Sequence, residues 1–162
     1  MHDGLPEFSQ THARLLGLAD ASKYHQAIAE AKDLLQSDAY PQEHEKYYLL
    51  SFLGYASHQV ADYEAATRYY QQAVEKSDFE YYTSYFMARS LLALGRKSEA
   101  AARFIRASEL SGGNPDLTAT VVPPALTLTL ELEGIDAASR LFEHFQEQLG
   151  VSENLAIEWQ KM

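Results

Sequence analysis

The chain has 162 residues, 46% hydrophobic and 22% charged, the balance of one globular domain with room for a core. Its net charge of −10 offers nucleic acid no basic surface, and the lack of cysteine rules out disulfides, thiolate metal sites and a cysteine nucleophile. No window approaches the ~18 consecutive apolar residues of a membrane span, and Met1 to Pro6 has no basic stretch followed by an apolar run, so a cytoplasmic protein without membrane insertion is expected.

Apolar residues recur at helical spacing along nearly the whole chain, which predicts a series of helices separated by short turns. The first runs from about Glu7 to Ala19 and the second from Tyr24 to Leu35, with a turn at Asp20 to Lys23 between them. A loop over Ser37 to Gln42 precedes a long helix from Glu43 to Gln59. Ala61 and Asp62 form a two-residue turn, with Asp62 as N-cap of a helix from Tyr63 to Lys76. Ser77 and Asp78 are expected to cap a helix from Phe79 to Leu94. Gly95 can take the left-handed conformation before the helix from Lys97 to Leu110.

Ser111-Gly-Gly-Asn-Pro115 is the sharpest break in the pattern. Beyond it the β-branched run of Thr118, Thr120, Val121, Val122, Thr127 and Thr129 makes a strand a competing reading. Pro123 and Pro124 argue against a central strand, and a helix restarting at Pro123 is preferred. A strong helix follows from Ile135 to Leu149, closed by Gly150. A short terminal helix after Ser152 carries Leu155, Ile157 and Trp159.

Ala66, Tyr70 and Ala73 return further along as Ala100, Phe104 and Ala107, and Leu53-Gly54 returns as Met87-Ala88 at the same interval. A fixed period in this range signals stacked supersecondary units, an architecture that presents surface to partners. These residues resemble the tetratricopeptide repeat, a helix-turn-helix unit whose period is the interval seen here. The pattern falls on Leu50, Leu53-Gly54, Ala66, Tyr70 and Ala73, then on Ser84, Met87-Ala88, Ala100, Phe104 and Ala107. The small residues let paired helices lie close, and Tyr70 and Phe104 are expected to fill the gap to the next unit. Tyr24 and Ala27 match Tyr63 and Ala66 across a slightly longer interval, as Ala138 and Phe142 match Ala100 and Phe104.

The resemblance implies an all-α, right-handed superhelix of antiparallel hairpins: about four hairpins plus a C-terminal helix in a single domain. The degenerate first hairpin covers 1–42, the clearest repeats 43–78 and 79–112, the degenerate fourth 115–150, and the terminal helix 152–162. In this family the first helix of each pair lines the concave face. Carried over, that places Tyr48, Phe52 and Tyr55 from one unit, and Tyr82, Tyr85, Phe86 and Arg89 from the next, in a partner-binding groove. Twelve of the nineteen aromatics lie between Tyr47 and Phe86, so such a surface would be aromatic and suited to apolar anchors of a peptide or helix. Against this stands ordinary core packing, the reading for Tyr47, Tyr63, Tyr69, Tyr70 and Tyr81. The terminal helix or a second copy of the chain would also fill the groove. The carboxylate clamp of the repeats that bind heat-shock chaperones is absent, since only Arg89 could meet a carboxylate.

Arg96, Lys97, Arg103 and Arg106 form either a basic patch or a solvated outer face. The chain has no Gly-x-Ser-x-Gly, no Gly-x-x-x-x-Gly-Lys and no His-Glu-x-x-His, and its six histidines are scattered. No catalytic constellation, cofactor site or metal site is expected. The reading is a non-catalytic scaffold that binds a protein or peptide partner. A sharper version looks to the small acidic tetratricopeptide chaperones of type III secretion, similar in length and acidity. The rival is a self-associating structural module of a larger assembly.

Overall fold

Residues 7–37 and 43–151 are described by the structure, a computed structural model. Among them are eight α-helices and no strand: α1 (Glu7–Asp20), α2 (Tyr24–Gln36), α3 (Glu43–Gln59), α4 (Tyr63–Lys76), α5 (Tyr81–Ala93), α6 (Lys97–Leu110), α7 (Pro115–Glu133) and α8 (Ile135–Leu149). The all-α expectation holds, and four helices match their expected bounds at both ends. The loop expected over 38–42 and the terminal helix with Trp159 lie outside the described residues. The chain divides into two compact units, Met1–Asp78 and Phe79–Met162.

Three helix-helix turns are built alike. Ser22, Ala61 and Gly95 have φ of 56°, 60° and 73°. In each case the next residue's N–H reaches back to the carbonyl five positions earlier: Lys23 to Leu18 at 2.8 Å, Asp62 to Ser57 at 2.9 Å and Arg96 to Leu91 at 2.9 Å. This bond closes a helix C-terminus through one left-handed residue, satisfying carbonyls that would otherwise be orphaned. Only the third turn uses glycine. The first two hold Ser and Ala where an L side chain is disfavoured, so the closing hydrogen bonds and helix packing outweigh the local cost. The turns recur at the same offsets as the side-chain pattern. Asp62 caps α4 as expected, its carboxylate accepting from the Ala65 N–H at 3.1 Å. The cap expected at Ser77 and Asp78 is corrected: α5 starts after Glu80, which makes no side-chain cap.

In the first unit, Leu15 and Ala19 of α1, Ala27 and Ala31 of α2, and Leu49, Phe52, Leu53 and Ala56 of α3 form one buried cluster. Tyr47, Leu50 and Ala73 form another, and Leu35 and Tyr69 pack against both. Gly54 permits the close approach of α3 and α4. A Cβ there would fall 2.7 Å from ring carbons of Tyr70, which is itself 1% exposed. The Tyr70 ring thus fills the space over Gly54 in its own hairpin.

In the second unit, Ala88, Ala100 and Ala107 are fully buried where α5 and α6 pack, with Phe104 beside them. The largest departure is α7, a single helix over Pro115–Glu133 rather than one restarting at Pro123. Asn114 starts it, its side-chain oxygen accepting from the N–H groups of Asp116 and Leu117, with Pro115 in the first turn. Thr118, Val121, Val122, Ala125, Leu126, Leu128 and Thr129 are buried, which overrides their β propensity. Pro123 and Pro124 remove the N–H partners of the Ala119 and Thr120 carbonyls. Those two residues are exposed, so water can satisfy the carbonyls and the helix continues.

Candidate functional site

Helix α5 buries one side through Tyr81, Ser84, Met87, Ala88 and Leu91. The opposite side carries Tyr82, Tyr85, Phe86 and Arg89, at the i, i+3, i+4, i+7 spacing of one helical stripe. Tyr82 is 60% exposed, Tyr85 and Phe86 are half-buried, and Arg89 is exposed. The stripe is held from beneath. Tyr81 stacks on Tyr85 with centroids 5.9 Å apart and planes 13° from parallel, and its hydroxyl donates to the Leu117 carbonyl of α7 at 3.0 Å. Burial, aided by the neighbouring Tyr85 hydroxyl, pushes the Tyr81 phenol up to about 12, so it remains a neutral donor. Tyr85 also meets Phe86 edge-on at 5.0 Å and Phe104 of α6 at 6.4 Å. Arg89 extends the platform, its guanidinium carbon 5.7 Å from the Tyr85 centroid and 5.9 Å from that of Phe86.

In the first unit, the residues expected at the binding face separate. Tyr48 is 42% exposed, set edge-on to Tyr47 at 5.2 Å and to His12 of α1 at 6.4 Å. Burial pushes the His12 imidazole below its ordinary value, favouring the neutral form. Tyr55 is half-buried and edge-on to Tyr24 at 6.3 Å; burial first, then its hydrogen bond with Tyr24, raise its phenol. Phe52 is 5% exposed and belongs to the core, because it faces α1 and α2 beside Leu49 and Leu53. Of the aromatics read as packing, Tyr47, Tyr70 and Tyr81 are buried. Tyr81 does more than pack, since its ring and hydroxyl fix the exposed stripe. The sequence showed Tyr81 four residues before Tyr85, but not that Leu117 would lie within reach.

Three of the four basic residues at the start of and within α6 are ion-paired. Arg96 pairs with Glu99 through two hydrogen bonds of 2.8 and 2.7 Å, Lys97 pairs with Glu131 of α7, and Arg106 pairs with Glu109 at 3.0 Å. Two surface clefts lie elsewhere. One, of about 430 Å³, is lined by Thr11, Arg14, Glu30, Asp33 and Leu34; the other, of about 330 Å³, by Ser108, Glu109, Gly113, His144 and Gln148. In the second cleft the Ser108 hydroxyl donates to the Ile105 carbonyl at 2.6 Å. No three His, Asp or Glu residues converge on a metal-sized site among the described residues. No described helix is long and apolar enough to cross a membrane.

No protein-family model matches the chain, and no curated protein matches it significantly in sequence. Solved structures do match. The chain is similar to PcrH, solved in complex with the chaperone-binding region of PopD: 23% identity, TM-score 0.66, covering 81% of this chain and 98% of that one. It is also similar to SycD, the type III secretion translocator chaperone of Yersinia enterocolitica: 20% identity, TM-score 0.67, covering 82% and 99%. At these identities the likeness is one of fold, and the chain folds as those helical chaperones do.

Proposed function

We propose that this chain is a non-catalytic scaffold of the tetratricopeptide type that holds an apolar segment of a partner polypeptide, in the manner of a small chaperone. The observation that carries this reading is the α5 stripe. Exposed aromatic rings packed against one another form a pre-organised platform that loses little side-chain entropy on binding. Tyr48 and Tyr55 offer a second aromatic face on the first unit. The PcrH structure, alike in fold, holds the chaperone-binding region of PopD, which supports the same kind of work here.

Native mass spectrometry of the untagged protein from its own host tests this, with Tyr82→Ala/Phe86→Ala as control. A monomer carrying one polypeptide, lost in the variant while helicity is unchanged, is expected. A polypeptide retained by the variant would remove α5 from the reading. A bare dimer that the variant converts to monomer would replace the reading with self-association. SycD has been crystallised as a dimer, which gives that second outcome its interest.

A further inference from the structure

We infer that the α5 face selects a partner segment in which a carboxylate adjoins a large apolar residue, with Arg89 as the group that reads the carboxylate. This deepens the proposed function and rests on it. Several other arginines are already engaged: Arg14 with Glu30, Arg96 with Glu99, Arg106 with Glu109. Arg89 is different. Among the described residues no carboxylate pairs with it, and its contacts are the faces of Tyr85 and Phe86. Its helical neighbours at three and four positions, Tyr85, Phe86, Leu92 and Ala93, include no acid.

Its guanidinium carbon lies 5.7 and 5.9 Å from the two ring centroids, and the ring planes are 60° apart. The two rings thus hold the exposed cation at the edge of the platform and leave its N–H groups to hydrogen-bond a carboxylate. The rings beside it supply the apolar contact, so both halves of the recognised pair meet within one helical turn. Overall charge sharpens the selection. A molecule of net charge −10 repels a polyacidic segment, so the favoured ligand has one carboxylate among apolar residues rather than an acidic run.

The test uses small probes and the full chain, so it needs no knowledge of the partner. N-acetyl-phenylalaninate and its uncharged amide are titrated into the 15N-labelled protein, following the Arg89 Nε–Hε signal and the ring protons of Tyr85 and Phe86. The acid should bind roughly three- to tenfold tighter than the amide at low salt, with the preference shrinking as salt is added. Arg89→Gln should abolish the preference while leaving amide binding in place, and Arg89→Lys should restore part of it. Equal binding of acid and amide, or a preference that survives Arg89→Gln, would overturn the inference while leaving the aromatic platform intact. Binding of neither probe to this face would count against the platform itself and remove the inference with it.

Discussion

Tyr70 carries two opposed features on one side chain. Its ring closes over Gly54, and its buried hydroxyl has no hydrogen-bond partner among the described residues. Burial, with the Tyr55 and Tyr47 hydroxyls nearby, raises that phenol well above its ordinary range, so it stays neutral. Removing the hydroxyl should relieve an unmet desolvation cost. Tyr70→Phe is therefore expected to stabilise the protein by about 1 kcal/mol in urea unfolding, and a loss of stability would show that the hydroxyl has a partner in solution. Gly54→Ala has the opposite sign. The added methyl meets a ring that is walled in, and a loss of about 1–3 kcal/mol is expected in the same measurement. The glycine was legible in the sequence, because a repeat that alternates Gly54 with Ala88 demands a small residue. The orphaned hydroxyl was not, since a sequence shows a donor but not whether anything meets it.

At the scale of elements, helix ends were legible where turn chemistry is local, as at Asp62 and Gly95. They were obscured where burial decides. Helix α7 runs through two prolines because its Val, Leu and Ala residues are needed in the core, a balance that composition does not display. Side-chain contacts between neighbouring helices were equally hidden. Arg14 of α1 and Glu30 of α2 are joined by two hydrogen bonds of 2.7 and 2.9 Å. The bonds to Arg14 and Gln26 lower the Glu30 carboxyl from its ordinary 4.5 to about 2. A carboxyl depressed in the folded state contributes stability that is present above its unfolded value and lost as pH falls through its folded one. The difference in urea midpoint between the wild type and Glu30→Gln should thus be full above about pH 5 and vanish by about pH 2. A difference that stayed constant across that window would mean the pair does not tie α1 to α2. Tyr82, Tyr85, Phe86 and Arg89 fall on one side of α5, as the repeat spacing implies, whereas Phe52 of α3 is buried. All belong to the first helix of a hairpin, and only the packing of α1 and α2 against α3 tells them apart.

Across the whole molecule, the division into two compact units falls between Asp78 and Phe79. The connecting residues leave helical geometry, with extended backbone at Ser77 (φ −160°, ψ 124°) and Glu80 (φ −105°, ψ 120°). Phe79 between them is 77% exposed. Brief chymotrypsin treatment should cut first after Phe79, where the chain is extended and accessible, ahead of Tyr70, Phe104 or Phe145 in the helical core. Mass spectrometry would then show fragments 1–79 and 80–162. An earlier cut within α4 or α6 would mean those helices open more readily than the connection does.

The seam of fully buried alanines between α5 and α6 has a consequence for how such a molecule can change. Ala88, Ala100 and Ala107 have no exposed surface. A heavier side chain there would force the helices apart. Tyr82 and Arg89 of the α5 stripe are exposed and under no such restriction, whereas Tyr85 is half-buried and meets Phe104 of α6. Where the α5 stripe receives a partner, as proposed above, structural upkeep and partner choice fall to different residues of the same helix. On that reading, a new address can be written on the outer face by replacing a few exposed side chains, while the backbone that displays it stays as it is.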